Sequence, residues 1–257
     1  MPINPMPMPL RPPDRAADGE SSLGSGCAGC ALRGVGLCRV LISAGLEAPL
    51  PNRPPVAQAE HNAAARRPIF RSNERMTHVP VICDGWACAA EHLTNGRRQI
   101  LSFVLPGDLI STNLLFEPFV RHEIEAITAV RYRGFDRVGL RETMAANPDV
   151  LDKLSQEWIA EREGIAELAI DLGQRMADER IARLILDVTE RLERRTAARA
   201  QTFAFPLRQT QIADALGLSP VYVNRVLNDF RQSGLVKIEH RSLTILDAAE
   251  LRRLAGS

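Results

Sequence analysis

Long apolar runs are missing from this 257-residue chain. No stretch approaches the roughly 18 residues that a membrane-spanning helix needs, which excludes a helical membrane protein. The opening segment MPINPMPMPLRPPDR has no apolar core of the kind an export signal carries, so a cytoplasmic protein without a membrane partner is expected. Cysteine is scarce and odd in number: Cys27, Cys30, Cys38, Cys83 and Cys88. In a chain with no export signal that set speaks against a disulfide framework and leaves metal binding, redox chemistry or plain burial. Catalytic patterns are thin as well. His78, His92, His122 and His240 are scattered among turns and strands, and His78 and His92 show no ligand partner at metal spacing. The H-x-H with a following Glu and His that a cupin-type metal enzyme requires is lacking, as is a nucleophile with its base, so an enzyme is not expected. The formal net charge is only +1, so any attraction for nucleic acid must come from how the charges are distributed.

What is present is ordinary globular composition, 45% hydrophobic and 25% charged, in a chain long enough for two domains with separate cores. Residues 1–26 are rich in Pro, Gly and Ser and read as a disordered arm. With the cysteine segment and part of the proline-rich stretch APLPNRPPVAQAEHNAAARR, which reads as a connecting loop with one short helix, they make up an N-terminal region, 1–60. From 61 to 146 short apolar runs alternate with turns. Asn95-Gly96 tolerates the positive φ of a tight hairpin, and Pro106-Gly107-Asp108 marks another turn. An antiparallel β-roll or barrel is the natural package.

After Asn147-Pro148 the period changes. Leu151, Leu154, Trp158, Ile159, Ile165, Leu168, Ala169 and Leu172 recur at intervals of three and four, predicting a long amphipathic helix over 147–174. Its stripe belongs to neither neighbouring region, so a second copy of the chain is the expected cover and a homodimer the expected state. The last region, 175–257, opens with a helix from about Met176 to Arg195. Ile181, Leu184, Ile185, Val188 and Leu192 form its apolar face and arginines its solvated, phosphate-attracting one.

The segment QTQIADALGLSPVYVNRVLNDFRQSG, 209–234, meets each requirement of a helix-turn-helix. Ala213 is small where the second helix crosses, Gly217 suits the left-handed turn, and Ser219 caps a helix that begins with Pro220. Val223, Val226, Leu227 and Phe230 are expected inside. Val221, Tyr222, Asn224, Arg225 and Asn228 are left outside as candidate base readers, since Arg pairs with guanine and Asn with adenine. Gln209, Thr210 and Ser219 complete the candidate DNA contacts on the helices. The segments LVKIE and SLTIL, joined at His240-Arg241, read as a β-hairpin wing that brings Lys237 and Arg241 to the phosphates. Double-stranded DNA is the expected partner.

These motifs together resemble the Crp/Fnr family of bacterial transcription regulators. The likeness runs from about Arg67 to the C-terminus, through NGRRQILSFVLPGDLI, the long helix, ADERIARLILDV and the helix-turn-helix. It implies an α+β fold: an N-terminal cyclic-nucleotide-binding-like β-roll, a dimerisation helix and a C-terminal winged helix-turn-helix. It also implies a homodimer on a palindromic site and RNA polymerase as a further partner. The Gly-Glu pair and the Arg-Ser or Arg-Thr pair that hold ribose and cyclic phosphate in the nucleotide-binding members are absent from PGDLISTNLLFEPFVRHEIEAI, so no cyclic nucleotide is expected. In the recognition helix the Glu-x-x-Ser-Arg pattern of the oxygen sensors is replaced by Val221, Asn224 and Arg225, which predicts a different operator.

Cys27, Cys30 and Cys38 are spaced C-x2-C-x7-C, similar to the oxygen-sensing members that hold an iron–sulfur cluster. Where the family's fourth cysteine falls, this chain has Arg131. The resemblance therefore implies a cluster on Cys27, Cys30 and Cys38 with Cys88 as fourth ligand. Cys83 in that place, a thiol switch or zinc site, and no metal role remain open.

Overall fold

The computed structural model describes residues 30–46, 56–195 and 201–256. The expected disordered arm and Cys27 lie outside the described residues. The chain begins with a short 3-10 turn, Ala31–Gly34, and helix α1, Gly36–Ser43, whose Leu37 and Leu41 are buried. From Ala31 on, the cysteine segment, whose glycines suggest flexibility, is thus largely helical, with Leu37 and Leu41 packed down.

Seven strands follow: β1 Ala57–Ala63, β2 Pro68–Phe70, β3 His78–Asp84, β4 Ala87–His92, β5 Arg98–Val104, β6 Glu123–Ala126 and β7 Val130–Asp136. They form a three-stranded sheet, β1-β7-β3, and a four-stranded sheet, β2-β6-β4-β5, with every pairing antiparallel. Strand β1 departs from the expected loop and short helix. AQAEHNA has no apolar alternation, but its backbone pairs with β7 from Ala57↔Phe135 to Ala63↔Val130, so ladder hydrogen bonds rather than side-chain burial make it a strand.

VICDGWAC, which reads as one strand, is two. The break comes at Gly85, whose φ of +81° and 2.0 Å approach of a would-be Cβ to the Ala129 carbonyl oxygen admit only glycine. It puts β3 and β4 in different sheets.

In β4 both faces are buried. Ala87 and Ala89 join the roll interior, with Val79, Val81, Ile124 and Val130, while Cys88 and Ala90 point outward into a second apolar cluster. That outward face is covered by the C-terminal region, so small residues at all four positions let the sheet be approached from both sides.

Helix α2, Arg137–Ala146, leads to α3, Pro148–Gln174. The Asn147 side chain accepts from the Asp149 and Val150 amides, and Pro148 fills the first turn. Val150 and Leu154 anchor α3 on the roll, and Thr112 ties its middle down through its amide and hydroxyl, both donated to Glu161.

Helix α4, Ala177–Glu193, buries Ile181, Ile185 and Val188. The remaining elements are β8 Thr202–Ala204, α5 Gln209–Leu216, α6 Pro220–Gln232, β9 Val236–Glu239, β10 Ser242–Ile245 and α7 Ala248–Leu254. Strands β8, β10 and β9 form the wing sheet. One apolar cluster runs without interruption from Trp86, Cys88, Ile100 and Phe103 of the roll to Ile181, Ile212, Val223 and Phe230.

The α4 arginines, expected on a solvated face, are the polar seam of this junction. Arg191 and Arg195 both pair with the buried Asp108 of the Pro-Gly-Asp turn, whose carboxylate also accepts from the Leu105 amide at 2.7 Å. Arg183 bonds to Glu167, and Arg180 donates to the carbonyls of Leu172, Arg175 and Leu216. Their charge is spent inside the fold.

Candidate nucleic-acid interface

Helices α5 and α6 cross through Ile212, Ala213 and Leu216 against Val223, Val226 and Leu227, all buried. Gly217 ends α5 at φ +64°, where a Cβ would come within 3.1 Å of Leu172. The Ser219 hydroxyl accepts from the Tyr222 amide at 3.2 Å and caps α6. This burial leaves one face of α6 outside, with Val221 81% exposed at its start.

Tyr222, Asn224 and Arg225 are exposed beside it, with the Arg225 guanidinium 5.1 Å from the Tyr222 ring centroid. That stacking holds the fork clear of the helix. Gln209 donates to Asn224 Oδ1 at 2.8 Å, and Arg231 to Asn228 Oδ1 at 2.6 Å. Gln209, Asn224 and Asn228 line one shallow depression, while Thr210 is exposed at the start of α5.

The wing turns at His240 and Arg241, with φ of +49° and +62°, the two successive left-handed residues of a two-residue hairpin. Lys237 and Arg241 are exposed on it, Lys237 paired with Glu239 at 3.0 Å.

Sequence reasoning missed the contacts that hold this unit on the roll. Arg98 donates to Asp214 of α5 at 2.7 and 3.0 Å and to Glu125 at 2.6 Å, and Gln99 donates to the Ala215 carbonyl. Asp214 and Ala215 lie 116 residues from the side chains that reach them, and no local pattern announces them.

The described cysteines separate into two places. Cys38 is pushed up to about 12, by burial first and then by the neighbouring thiols of Cys83 and Cys30. Cys83 is raised to about 11 by burial, with Arg133 opposing and Cys30 adding to the rise. Cys30, Cys38 and Cys83 thus share one electrostatic neighbourhood, without their three sulfur atoms all coming within 4.8 Å of one another. Cys88, proposed from sequence as the fourth ligand, lies elsewhere. It is buried in the junction cluster and raised to about 12 by burial and then by Glu125, with Arg98 opposing. The register of β3 on β7 places Cys83 between the pairs Ile82↔Tyr132 and Asp84↔Arg131. It stands beside Arg131, on the neighbouring strand.

A roll, a long helix and a winged helix-turn-helix presenting an exposed, polar recognition face define a DNA-binding transcription regulator. Residues 60–147 match the model of the cyclic nucleotide-binding domain, and residues 179–254 that of the Crp-like helix-turn-helix domain. The nitrogen fixation regulation protein FixK of Bradyrhizobium diazoefficiens is 28% identical over 238 residues, 90% of this chain and 94% of that protein. The transcriptional activator protein anr of Pseudomonas aeruginosa is 30% identical over 190 residues, 73% of this chain and 77% of that one. Among solved structures, FixK2 from Bradyrhizobium japonicum superposes with a TM-score of 0.69 at 26% identity, covering 77% of this chain and 98% of that one. The chain belongs to the Crp/Fnr family of transcription regulators, whose members regulate transcription rather than catalyse reactions. No helix among the described residues is long and apolar enough to cross a membrane.

Proposed function

We propose that the protein acts in the cytoplasm as a homodimer on a palindromic operator, reading it through α6 and gripping phosphates through the wing. The observation that carries this reading is the uncovered stripe of α3. Leu151, Trp158 and Ile165 recur every seven residues and are 44%, 51% and 45% exposed, with Ile159 and Ile170 equally bare beside them. A heptad of large apolar groups on a 27-residue helix calls for a second helix, and an identical one closes the pair with two-fold symmetry. Two copies of α6 then face successive major grooves, about 34 Å apart.

Arg225 is assigned to a guanine, Asn224 and Asn228 to adenine edges, and Val221 to a thymine methyl. Gln209, Thr210, Ser219, Tyr222, Lys237 and Arg241 are assigned to positioning contacts. RNA polymerase is the second macromolecular partner that family membership supports. Selection of bound sequences from a random duplex pool, followed by sedimentation of the complex, tests the proposal. Inverted half-sites spaced by one helical turn and two chains per duplex are expected, and a single asymmetric half-site bound by one chain overturns it.

A second reading concerns the signal. Cys30 and Cys38 of the N-terminal segment bear electrostatically on Cys83 of β3, and Cys83 occupies the neighbourhood in which Arg131 replaces a cysteine of the oxygen-sensing relatives. Three thiols in one electrostatic neighbourhood, drawn from two segments, suit the all-sulfur donor set of an iron–sulfur cluster, with Cys27 the fourth and Cys83, not Cys88, the ligand from the roll. The cluster, when bound, supplies sensitivity to oxidants. The chain itself supplies the mechanical link, because α1 packs against α3 and Leu32 lies beside Gly107 of the Pro-Gly-Asp turn. Iron, sulfide and visible absorbance on protein purified without oxygen test it. Colour that survives Cys88→Ser and is lost in Cys83→Ser is expected, whereas colourless, iron-free wild-type protein retires the cluster.

A further inference from the structure

Three ligating side chains meet on the outer face of the four-stranded sheet, the face that also carries the buried Cys88. Strand alternation sends Ile124 and Ala126 into the roll and therefore Glu123 and Glu125 outward, to the side where Cys88 and Ala90 meet the C-terminal region. His92 continues that face of β4. Its Nε2 lies 2.7 Å from Glu125 Oε1 and 3.8 Å from Glu123 Oε1, and the three donor atoms all fall within 4.8 Å of one another. Sequence alone gives His92 no metal partner, because both carboxylates arrive from β6, more than thirty residues on.

The surroundings favour a cation. Glu125 Oε2 accepts from Arg98, which also holds Asp214 of α5. Glu125 and Asp214 share the Arg98 guanidinium and Glu123 stands beside His92, so among these groups two negative charges are in excess when the imidazole is neutral. Glu91, on the same strand as His92, is paired with His122 at 3.1 Å. His92 is half exposed, which leaves one side open to water, as a divalent ion with a partial protein ligand set requires.

We propose that His92, Glu123 and Glu125 form a divalent-cation site at the junction of roll and helix-turn-helix, and that its occupancy is coupled to docking of the two through Arg98 and Asp214. The ion takes the Nε2 lone pair, and any proton on that nitrogen goes to solvent. One imidazole and two carboxylates suit a first-row transition metal of intermediate hardness such as Mn²⁺. The sign of the coupling follows from charge. Asp214 neutralises Arg98 only while α5 is docked, so the docked arrangement holds the cation more tightly, and by linkage the cation favours docking.

The test uses the full chain, stripped with a chelator and titrated with Mn²⁺, the free ion being read by its paramagnetic resonance signal. Manganese binds thiolates poorly, which separates this site from the cysteines. Uptake of one ion is expected, weakened about tenfold or more in His92→Gln and in Glu123→Gln, neither of which touches Arg98. Asp214→Asn is expected to weaken it about fivefold. Unchanged circular dichroism of the metal-free variants establishes that they are folded. No uptake by the wild type at millimolar Mn²⁺, or wild-type affinity in His92→Gln and Glu123→Gln, overturns the site. Wild-type affinity in Asp214→Asn alone overturns the coupling.

Discussion

Asp108→Asn isolates the polar seam between roll and DNA-binding unit. Asp108 is 9% exposed and accepts from the Leu105 amide, Arg191 and Arg195. Asparagine keeps the shape and one acceptor but removes the charge, and its amide hydrogens face two guanidinium groups. Deleting one partner of a buried ion pair costs about 3–5 kcal/mol. Arg191 retains the Phe103 carbonyl at 2.8 Å and Asp187 at 3.2 Å, which puts the expected loss near the lower bound, about 3 kcal/mol. For a chain of this size that is a fall in melting temperature of about 6–12 °C. Because Asp108 belongs to the roll and both arginines to α4 and its end, the loss falls on the junction. Urea unfolding is therefore expected to broaden or to resolve into two steps. Asp187→Asn, removing a carboxylate that is 57% exposed, serves as control and is expected to cost under about 1 kcal/mol. A melting temperature for Asp108→Asn as close to wild type as that of the control would refute the assignment of the seam to this carboxylate.

Three further outcomes are expected. Arg225→Ala removes a bidentate base contact worth about 1–3 kcal/mol from each half-site; fluorescence anisotropy at fixed salt is expected to show specific affinity falling at least about 30-fold while the salt slope stays constant, and a slope reduced by about 1 per arginine would reassign it to phosphate. Ile165→Glu puts a charge in the middle of the α3 stripe, and sedimentation equilibrium is expected to report monomers where the wild type is dimeric. The Cys88 thiol, 1% exposed and held at about 12 against an ordinary 9.0, stays protonated when folded but ionises when unfolded. Its contribution is complete below about pH 9 and declines as pH rises toward 12, so the stability advantage of wild type over Cys88→Ala is expected to shrink by about 2 kcal/mol between pH 8 and 10.5 in urea titrations.

What the sequence determined by itself is what depends on neighbours a few residues apart. Ser219 caps α6 through an amide three positions on, Gly217 supplies a left-handed turn, and the apolar period of Val223, Val226, Leu227 and Phe230 is a property of one helix. The same holds for α3, capped by Asn147 and Pro148, and for the hairpin turn at Gly96, where φ is +79°. Such features carry their own local free energy and are legible before anything folds.

Tertiary structure alone decided the rest. AQAEHNA becomes a strand only because β7 offers it a ladder, and the α4 arginines turn inward only because Asp108 and Glu167 are waiting there. Cys83 lies on the side that feels Cys30 and Cys38, and Cys88 is buried in the junction cluster, because Gly85 sends β3 and β4 into different sheets. His92 meets Glu123 and Glu125, and Arg98 meets Asp214, across separations of thirty to more than a hundred residues. A side chain's partner at that range is set by how whole sheets and helices pack, and a one-dimensional pattern, which records only the near neighbours of each residue, holds no information about it.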